Sequence, residues 1–291
     1  MYYRDQAEEL RNLVKAANQV QISNAKVLTI TSGKGGVGKS NTAVNLAVHF
    51  RNMGKRVIIL DADFGLANVE VMFGTVPKYS LKDVIFGDRK LADIITEGPM
   101  GIGFISGGSG IVGLNDLQHE QVEEIIHSLS QLNTMTDVLI IDTGAGVGSN
   151  VMDFVMASPE VVLVCTPEPS SLTDSYSLVK GLYNNPRFIK GGTNIHLLAN
   201  RVSSKDEADA IYEKLSSIVM RFLDGKLSYL GMIPQDASLE KAVRAQEIVS
   251  VTSPSAKSSR AYEEVAAKLM NEEKKEHYQW GIAQFFKSFI H

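Results

Sequence analysis

Short apolar runs alternate with longer stretches of helical periodicity along most of the 291-residue chain. Runs of this kind are typical of strands that lie in the middle of a parallel sheet and are covered on both faces. They lie at 27–30, 57–60, 102–105, 137–141, 161–166, 195–199 and 227–233. The stretches with helical spacing lie at 41–48, 81–86, 118–132, 171–182, 204–223, 238–246 and 256–270. This alternation predicts an α/β fold of three layers, a mostly parallel twisted sheet with helices on both faces.

A glycine-rich loop follows the first predicted strand. It reads Gly33-Lys34-Gly35-Gly36-Val37-Gly38-Lys39-Ser40 and leads through Asn41 into a helix. Glycines let backbone N–H groups turn inward around a triphosphate, and the helix adds its positive end. In such a loop Lys39 would reach the β- and γ-phosphates of ATP, and the Ser40 hydroxyl would bind Mg²⁺. The alternative, a glycine turn before an ordinary helix, is disfavoured because Gly33, Gly38, Lys39 and Ser40 fill every fixed position.

Acidic residues end two of the predicted strands. Asp61 and Asp63 follow the run at 57–60, and Asp142 follows the run at 137–141. Open α/β sheets bind ligands beyond the carboxyl ends of their strands, where a carboxylate can hold Mg²⁺. The glycine-rich segment behind Asp142 lets the backbone, at Gly144, approach a γ-phosphate and move when it leaves. Helix capping or turn formation is the alternative role for Asp61 and Asp63.

The second lysine of the loop makes it more specific. With Lys34 the loop resembles the KGGxGKS pattern of the MinD/ParA/nitrogenase-iron-protein group of dimerising P-loop NTPases. The resemblance implies a homodimer that encloses two ATP molecules, in which Lys34 reaches the partner subunit's nucleotide. It also implies that Asp61 and Asp142 support Mg²⁺ and that Asp63 positions the hydrolytic water. Lys34, Lys39 and Asp63 are therefore the expected catalytic residues.

Two later strand ends resemble the adenine site of that group. Asn200 and Arg201 follow the run at 195–199, and Pro234 and Asp236 follow the last run. The resemblance implies that Asn200 hydrogen-bonds the adenine, with Arg201 beside it, and that the loop from Pro234 to Asp236 closes over the base. ATP or ADP with Mg²⁺ is the expected ligand.

Residues 1–24 precede the predicted nucleotide domain. Apolar positions recur at helical spacing between 4 and 17, which predicts a short amphipathic helix. The sequence of this segment resembles the DQAxxLR segment of FlhG, a family of MinD-like ATPases that control flagellar number and placement. The resemblance implies contact with the signal-recognition-particle-type GTPase FlhF, through Asp5, Gln6, Leu10 and Arg11, and partners among the flagellar C-ring switch proteins. The alternative is a cap helix that packs on its own core.

Residues 271–291 follow the predicted domain, which spans 25–270. Their apolar side chains fall mostly on one face of a short helix, and such a surface is costly without a partner. The stripe comprises Trp280, Ile282, Phe285, Phe286, Phe289 and Ile290. It resembles the membrane-targeting helix of MinD-family proteins, although its polar side offers only Lys287 and His291, so one copy should bind lipid weakly and a dimer by avidity. Permanent packing against its own domain is the alternative.

Composition excludes some of the remaining classes of function. A net charge of −4 and a pI near 5.9 argue against a nucleic-acid coat and make DNA an unlikely partner. The single cysteine, Cys165, cannot supply the paired thiolates of an iron–sulfur carrier. No signal sequence is recognisable, so a cytoplasmic protein that attaches peripherally to the inner face of the membrane is expected. A slow switch ATPase is the leading interpretation, with a ParA-type DNA-partitioning ATPase and a MinD-type division-site regulator as alternatives.

Overall fold

Eight strands form one sheet in the computed structural model, which describes residues 25–63, 68–108 and 132–271. The strands are β1 (Lys26–Thr31), β2 (Val57–Ala62), β3 (Thr96–Glu97), β4 (Gly103–Ser106), β5 (Val138–Thr143), β6 (Glu160–Cys165), β7 (Asn194–Val202) and β8 (Ser228–Pro234). Their order across the sheet is β3-β4-β2-β5-β1-β6-β7-β8. Only β3 pairs antiparallel among these described strands, and the others pair parallel.

Helices connect the strands and cover the sheet. In chain order they are α1 (Lys39–Asn52), α2 (Asn68–Phe73), α3 (Leu81–Ile85), α4 (Leu91–Ile94), α5 (Leu132–Met135), α6 (Ser149–Ala157), α7 (Pro169–Asn184), α8 (Lys205–Leu223), α9 (Ala237–Arg244), α10 (Val249–Thr252) and α11 (Lys257–Asn271). A short 3₁₀ turn, Pro99–Gly101, precedes β4.

Alternate residues of each strand enter hydrophobic clusters on opposite faces of the sheet. In β1, Leu28 and Ile30 pack in the cluster that includes α1 and α11. Val27 packs on the other face, in a cluster that includes Phe154 of α6. Beyond it, α7 and α8 cover β6 and β7. Both faces are therefore buried, which explains why the strands read as continuous apolar runs.

The predicted fold class is confirmed, and the predicted strands and most of the predicted helices lie where the pattern placed them. The helix predicted at 118–132 lies outside the described residues except for its last position, Leu132. The terminal segments 1–24 and 272–291 also lie outside them. Several short elements, among them α2, α6 and α10, were not predicted. Helices α2 and α6 follow the carboxyl ends of β2 and β5, at the edge of the sheet where the predicted site residues gather.

Candidate nucleotide-binding site

The glycine-rich loop runs from the end of β1 to the first turn of α1. Gly38 precedes Lys39, the first helical residue, in the left-handed region with φ of 101°. Its carbonyl accepts a hydrogen bond from Thr42 N at 2.9 Å, which closes that turn. At the other end Gly33 packs so tightly on α7 that a Cβ there would lie 2.1 Å from the carbonyl carbon of Asp174. Glycine is required at these two positions for different reasons, backbone conformation at one and lack of space at the other.

Two acidic residues lie next to each other beside this loop. The register of the sheet pairs Asp61 of β2 with Asp142 of β5, and pairs Asp142 with Ile30 of β1. Asp142 is fully buried, and neither of its carboxylate oxygens has a hydrogen bond of normal geometry among the described residues, although the Ser40 hydroxyl is close enough to influence its pKa. Asp61 is 5 % exposed and accepts hydrogen bonds from Asp63 N and Val69 N, both at 3.2 Å. An orphaned carboxylate beside a phosphate-type loop suits a divalent cation.

Burial changes the protonation of these acids. It raises the pKa of Asp142 to about 7, an effect that the Ser40 hydroxyl opposes and that the negative charge of Asp61 reinforces. Burial also raises the pKa of Asp61 to about 6, against the two backbone hydrogen bonds that stabilise its ionised form. Like charges that share a dry site disfavour ionisation, whereas a bound cation would favour it.

Lys39 lies in the same buried environment. Its side chain is 8 % exposed, and burial lowers its pKa from the usual 10.5 although Asp142 and Asp63 both act to raise it. The ammonium is thus placed close to two acids at the loop. A buried cation that faces carboxylates is electrostatically suited to receive the negative charge of a phosphate.

Asp63 lies between the segment that follows β2 and the glycine-rich segment that follows β5. Its carboxylate accepts a hydrogen bond from Asn68 Nδ2 at 3.3 Å, and its Oδ1 lies 3.6 Å from the point where a Cβ on Gly144 would stand. Behind Gly144, the N–H of Gly146 donates to the carbonyl of Ser32 at 2.9 Å, which ties that segment to the start of the loop. The structure brings Asp63 to the loop, as the predicted water-positioning role requires, and that role stays a prediction.

Lys34 is turned back onto its own chain. Its Nζ lies 3.3 Å from Glu168 Oε2 and donates to Ser170 Oγ at 2.7 Å. Both charged side chains are partly exposed, at 38 % and 55 %. The ion pair lowers the pKa of Glu168, chiefly through the hydrogen bond from Lys34. The amine is therefore held by surface contacts that are weak enough to exchange for another anion.

A cavity of about 530 Å³ opens beside the loop, at the ends of β6, β7 and β8. It collects predicted site residues from three separate parts of the chain, namely Gly38, Asn41, Asn200, Arg201, Pro234 and Asp236. The wall also contains residues that no sequence motif indicates, including Thr166, Pro167, Glu168, Leu239 and Val243. A mixed polar and apolar cleft next to a phosphate-type loop has the size and lining expected for a nucleoside.

Two residues predicted to contact the base already have protein partners. Asn200 Nδ2 donates to the carbonyl of Val37 at 2.7 Å, and its Oδ1 accepts from Arg201 N at 2.9 Å. Asp236 accepts from Ser238 N at the start of α9 and from Ser258 N at the start of α11, both at 2.9 Å. Burial alone would raise the pKa of Asp236, but the hydrogen bonds from these two serines lower it. Their predicted base contacts stay untested.

The predicted partner-binding segments lie outside the described residues. They are Asp5, Gln6, Leu10 and Arg11 at one end and Trp280, Ile282, Phe285, Phe286, Phe289 and Ile290 at the other. Among the residues that the structure describes, none of the helices combines the length and apolar character needed to cross a bilayer.

Comparison with known proteins gives a consistent result. A profile of the ParA family, described as NUBPL iron-transfer P-loop NTPase, matches residues 23–270. The chain is 42 % identical to the antiactivator FleN of Pseudomonas aeruginosa over 84 % of this chain and 86 % of that protein. It is 34 % identical to the flagellum site-determining protein YlxH of Helicobacter pylori over 98 % of both. In fold it is similar to the septum site-determining protein MinD of Pyrococcus horikoshii, solved with Mg-ADP, with a TM-score of 0.66 at 23 % identity over 88 % of this chain and 99 % of that one.

Proposed function

Because the chain belongs to the ParA/MinD family of P-loop NTPases, whose members are ATPases, we propose that it is an ATP-driven dimerisation switch that regulates flagellar number and placement. The observation that carries this proposal is the match to YlxH, a flagellum site-determining protein, along nearly the whole of both chains. FleN, an antiactivator, supports it with higher identity over a smaller share of the chain. Iron transfer is not part of the proposal, since the one cysteine, Cys165, is fully buried in β6.

The geometry of the loop supports binding of ATP with magnesium. Backbone N–H groups of the loop and the amine of Lys39 would hold the phosphates, and the cavity beside Asn200 would hold the nucleoside. Ser40, Asp61 and Asp142 would hold Mg²⁺, which neutralises phosphate charge when bound. The unpartnered oxygens of Asp142 are the observation that makes these residues suited to a cation.

Hydrolysis would need a water held in line with the γ-phosphate. Asp63, which accepts a hydrogen bond from Asn68 and lies close to Gly144, would orient that water and accept its proton. Lys34 would leave Glu168 and reach the nucleotide of the partner subunit, which makes hydrolysis depend on the dimer. Hydrolysis would be slow, because its rate sets how long the protein stays in the ATP-bound dimer.

Both terminal segments extend the proposal beyond the nucleotide domain. Residues around Gln6 would stimulate the GTPase FlhF, and C-ring switch proteins would be further partners. The stripe that includes Phe285 and Phe286 would attach the ATP-bound dimer to the inner face of the cell membrane, because two weak lipid contacts act together when they are linked.

Liposome sedimentation with light scattering tests the switch directly. The full chain and a version that ends at Tyr278 are each measured with ADP and with a slowly hydrolysed ATP analogue. We expect dimers with the analogue only, and we expect them to pellet with vesicles only when the last residues are present. Dimers that stay in solution in both versions would contradict membrane attachment and favour a helix packed on its own domain.

Flagellar counts test the cellular part. Electron microscopy of cells that carry Lys39→Ala in place of the natural gene should show an altered number or position of flagella, as in a deletion strain. Unchanged flagella together with loss of DNA segregation would favour the partitioning alternative.

A further inference from the structure

The side chain of Asn200 is fixed at both ends within the protein. Its amide nitrogen donates to the carbonyl of Val37, the residue before Gly38 in the phosphate-type loop, and its oxygen accepts from the backbone of Arg201. The side chain is 2 % exposed. A Cβ on Gly38 would lie 2.4 Å from Asn200 Nδ2, so the amide lies directly against the loop.

The backbone around Asn200 is shaped for this contact. Arg201 has a left-handed φ of 57°, which is unfavourable for a side chain of its kind. The pairing of β7 with β8 is irregular between Asn200 and Val202. The strand thus departs from regular geometry where its amide turns toward Val37, and the hydrogen bond from Arg201 N holds that amide in one orientation.

We propose that Asn200 is a positioning residue that holds the phosphate-binding loop in shape before any nucleotide arrives. Among the residues that the structure describes, no other donor to the carbonyl of Val37 is found, and Val37 is only 2 % exposed, so loss of the Asn200 amide would leave that carbonyl unpaired at a cost. The amide therefore links the loop to the edge of the sheet that lines the base cavity. This role rests on the proposed nucleotide site for its functional meaning, but it is present in the free protein.

A base-contact role and a loop-positioning role of Asn200 predict different effects when the residue is substituted. If Asn200 only contacts adenine, its substitution leaves the empty loop unchanged and weakens the binding of nucleotides alone. If Asn200 positions the loop, its substitution loosens the loop even without a ligand. It then also weakens the binding of any polyphosphate, with or without a base. The amide of Thr42, which donates to Gly38 O across the turn, reports on the loop in the free protein.

Hydrogen exchange of the full chain without nucleotide is the deciding experiment. Asn200→Ala is compared with wild type and with Asn194→Ala, which removes an amide at the opposite end of the same strand, where its partner is Glu160. We expect exchange of the Thr42 amide to be about tenfold faster or more in Asn200→Ala and unchanged in Asn194→Ala. Amides of β6 serve as the reference for any global loss of stability. Asn200→Ser replaces Asn200→Ala if the latter does not fold.

Binding measurements complete the test. Magnesium tripolyphosphate and MgADP are titrated against each variant, and both affinities should fall by the same factor in Asn200→Ala. A Thr42 amide that exchanges at the wild-type rate relative to β6, with only MgADP weakened, would overturn the proposal in favour of a pure base contact. Failure of the wild type to bind MgADP would contradict the nucleotide site and is distinguished from failure of the positioning role by the exchange rates.

Discussion

Asp61 and Asp142 are register partners on the neighbouring parallel strands β2 and β5, so two buried carboxyl groups lie side by side at the edge of the sheet. Adjacent strands are about 4.8 Å apart, and two negative charges at that distance repel strongly in a dry environment. Burial and this repulsion raise the pKa of Asp61 to about 6 and that of Asp142 to about 7, so the pair holds more protons near neutral pH than two exposed acids would. Ligand binding at the site is thereby linked to proton release.

The first prediction concerns stability and pH. In the folded protein burial raises the pKa of Asp142 to about 7, whereas the ordinary value of 3.8 applies to the unfolded chain. An acid with a raised folded pKa favours folding at low pH, and that contribution is lost as pH rises through the folded value. Without nucleotide or Mg²⁺, we expect the free energy of unfolding to fall relative to Asp142→Asn by a few kcal/mol between pH 4 and 7, at about 1.4 kcal/mol per pKa unit. Urea denaturation of both proteins across this range measures the difference.

Asp224→Asn, a change at an exposed acid at the end of α8, is the control and should keep the wild-type slope. Saturating MgADP should reverse the slope, because a cation binds the ionised carboxylate. A wild type that gains stability relative to Asp142→Asn as pH rises, without ligand, would contradict the buried neutral acid.

The second prediction concerns hydrolysis. Asp63→Ala should lower the rate of phosphate release by about 10²–10⁴-fold, the contribution typical of a positioned base, and leave ATP binding intact. The ATP-bound dimer should then persist in light scattering. Asp206→Ala, which removes an exposed acid in the first turn of α8, should behave as the wild type. Normal turnover in Asp63→Ala would assign water positioning to another group.

The third prediction separates two glycines of the same loop. A Cβ on Gly33 would overlap the backbone of Asp174 and Ser175, which no rotamer can relieve. A Cβ on Gly36 meets no atom within 4 Å, and only the φ of 74° is unfavourable. We expect Gly36→Ala to cost about 1 kcal/mol and Gly33→Ala to cost more, about 1–3 kcal/mol beyond that. Urea denaturation without ligand gives both values, and equal costs would mean that α7 moves away from the loop.

The fourth prediction concerns the contact between Lys34 and Glu168. An ion pair this exposed contributes only about 0–1 kcal/mol, so Glu168→Gln should change stability little. It should nevertheless free the amine for a partner subunit and lower the protein concentration needed for ATP-dependent dimers, by up to about fivefold. Glu240→Gln, at another acid of the same cavity wall, is the control. A Glu168→Gln protein that dimerises less readily would show that Glu168 acts in the dimer.

Residues that are close in sequence were predicted well, whereas those defined by tertiary packing were not. The loop around Lys39 and the acids that end β2 and β5 were recognised because strand, loop and helix follow one another directly in the chain. Helix α6 was missed because six of its nine residues are buried, which leaves no polar stripe to reveal a helical period. Glu168 was missed as the partner of Lys34 because nothing local to a surface acid marks a contact 134 residues away.

Asn200 shows the same limit at a single residue. Its place at the end of β7 was predicted, but its hydrogen bond to Val37 spans 163 residues and depends on how β7 and the loop approach one another. The sequence predicts which polar residue stands at the end of a strand. It does not predict which atom forms a hydrogen bond with that residue, because this depends on tertiary packing.

Asp236 connects the base cavity to the end of the described fold. One carboxylate caps α9 through Ser238 N and α11 through Ser258 N, so a ligand that displaces it uncaps two helices at once. Helix α11 runs for 15 residues, about 22 Å, to Asn271. A nucleotide that contacts Asp236 would therefore act on the first turn of α11, and the last turn of the same helix, at Asn271, is followed by the last 20 residues of the chain.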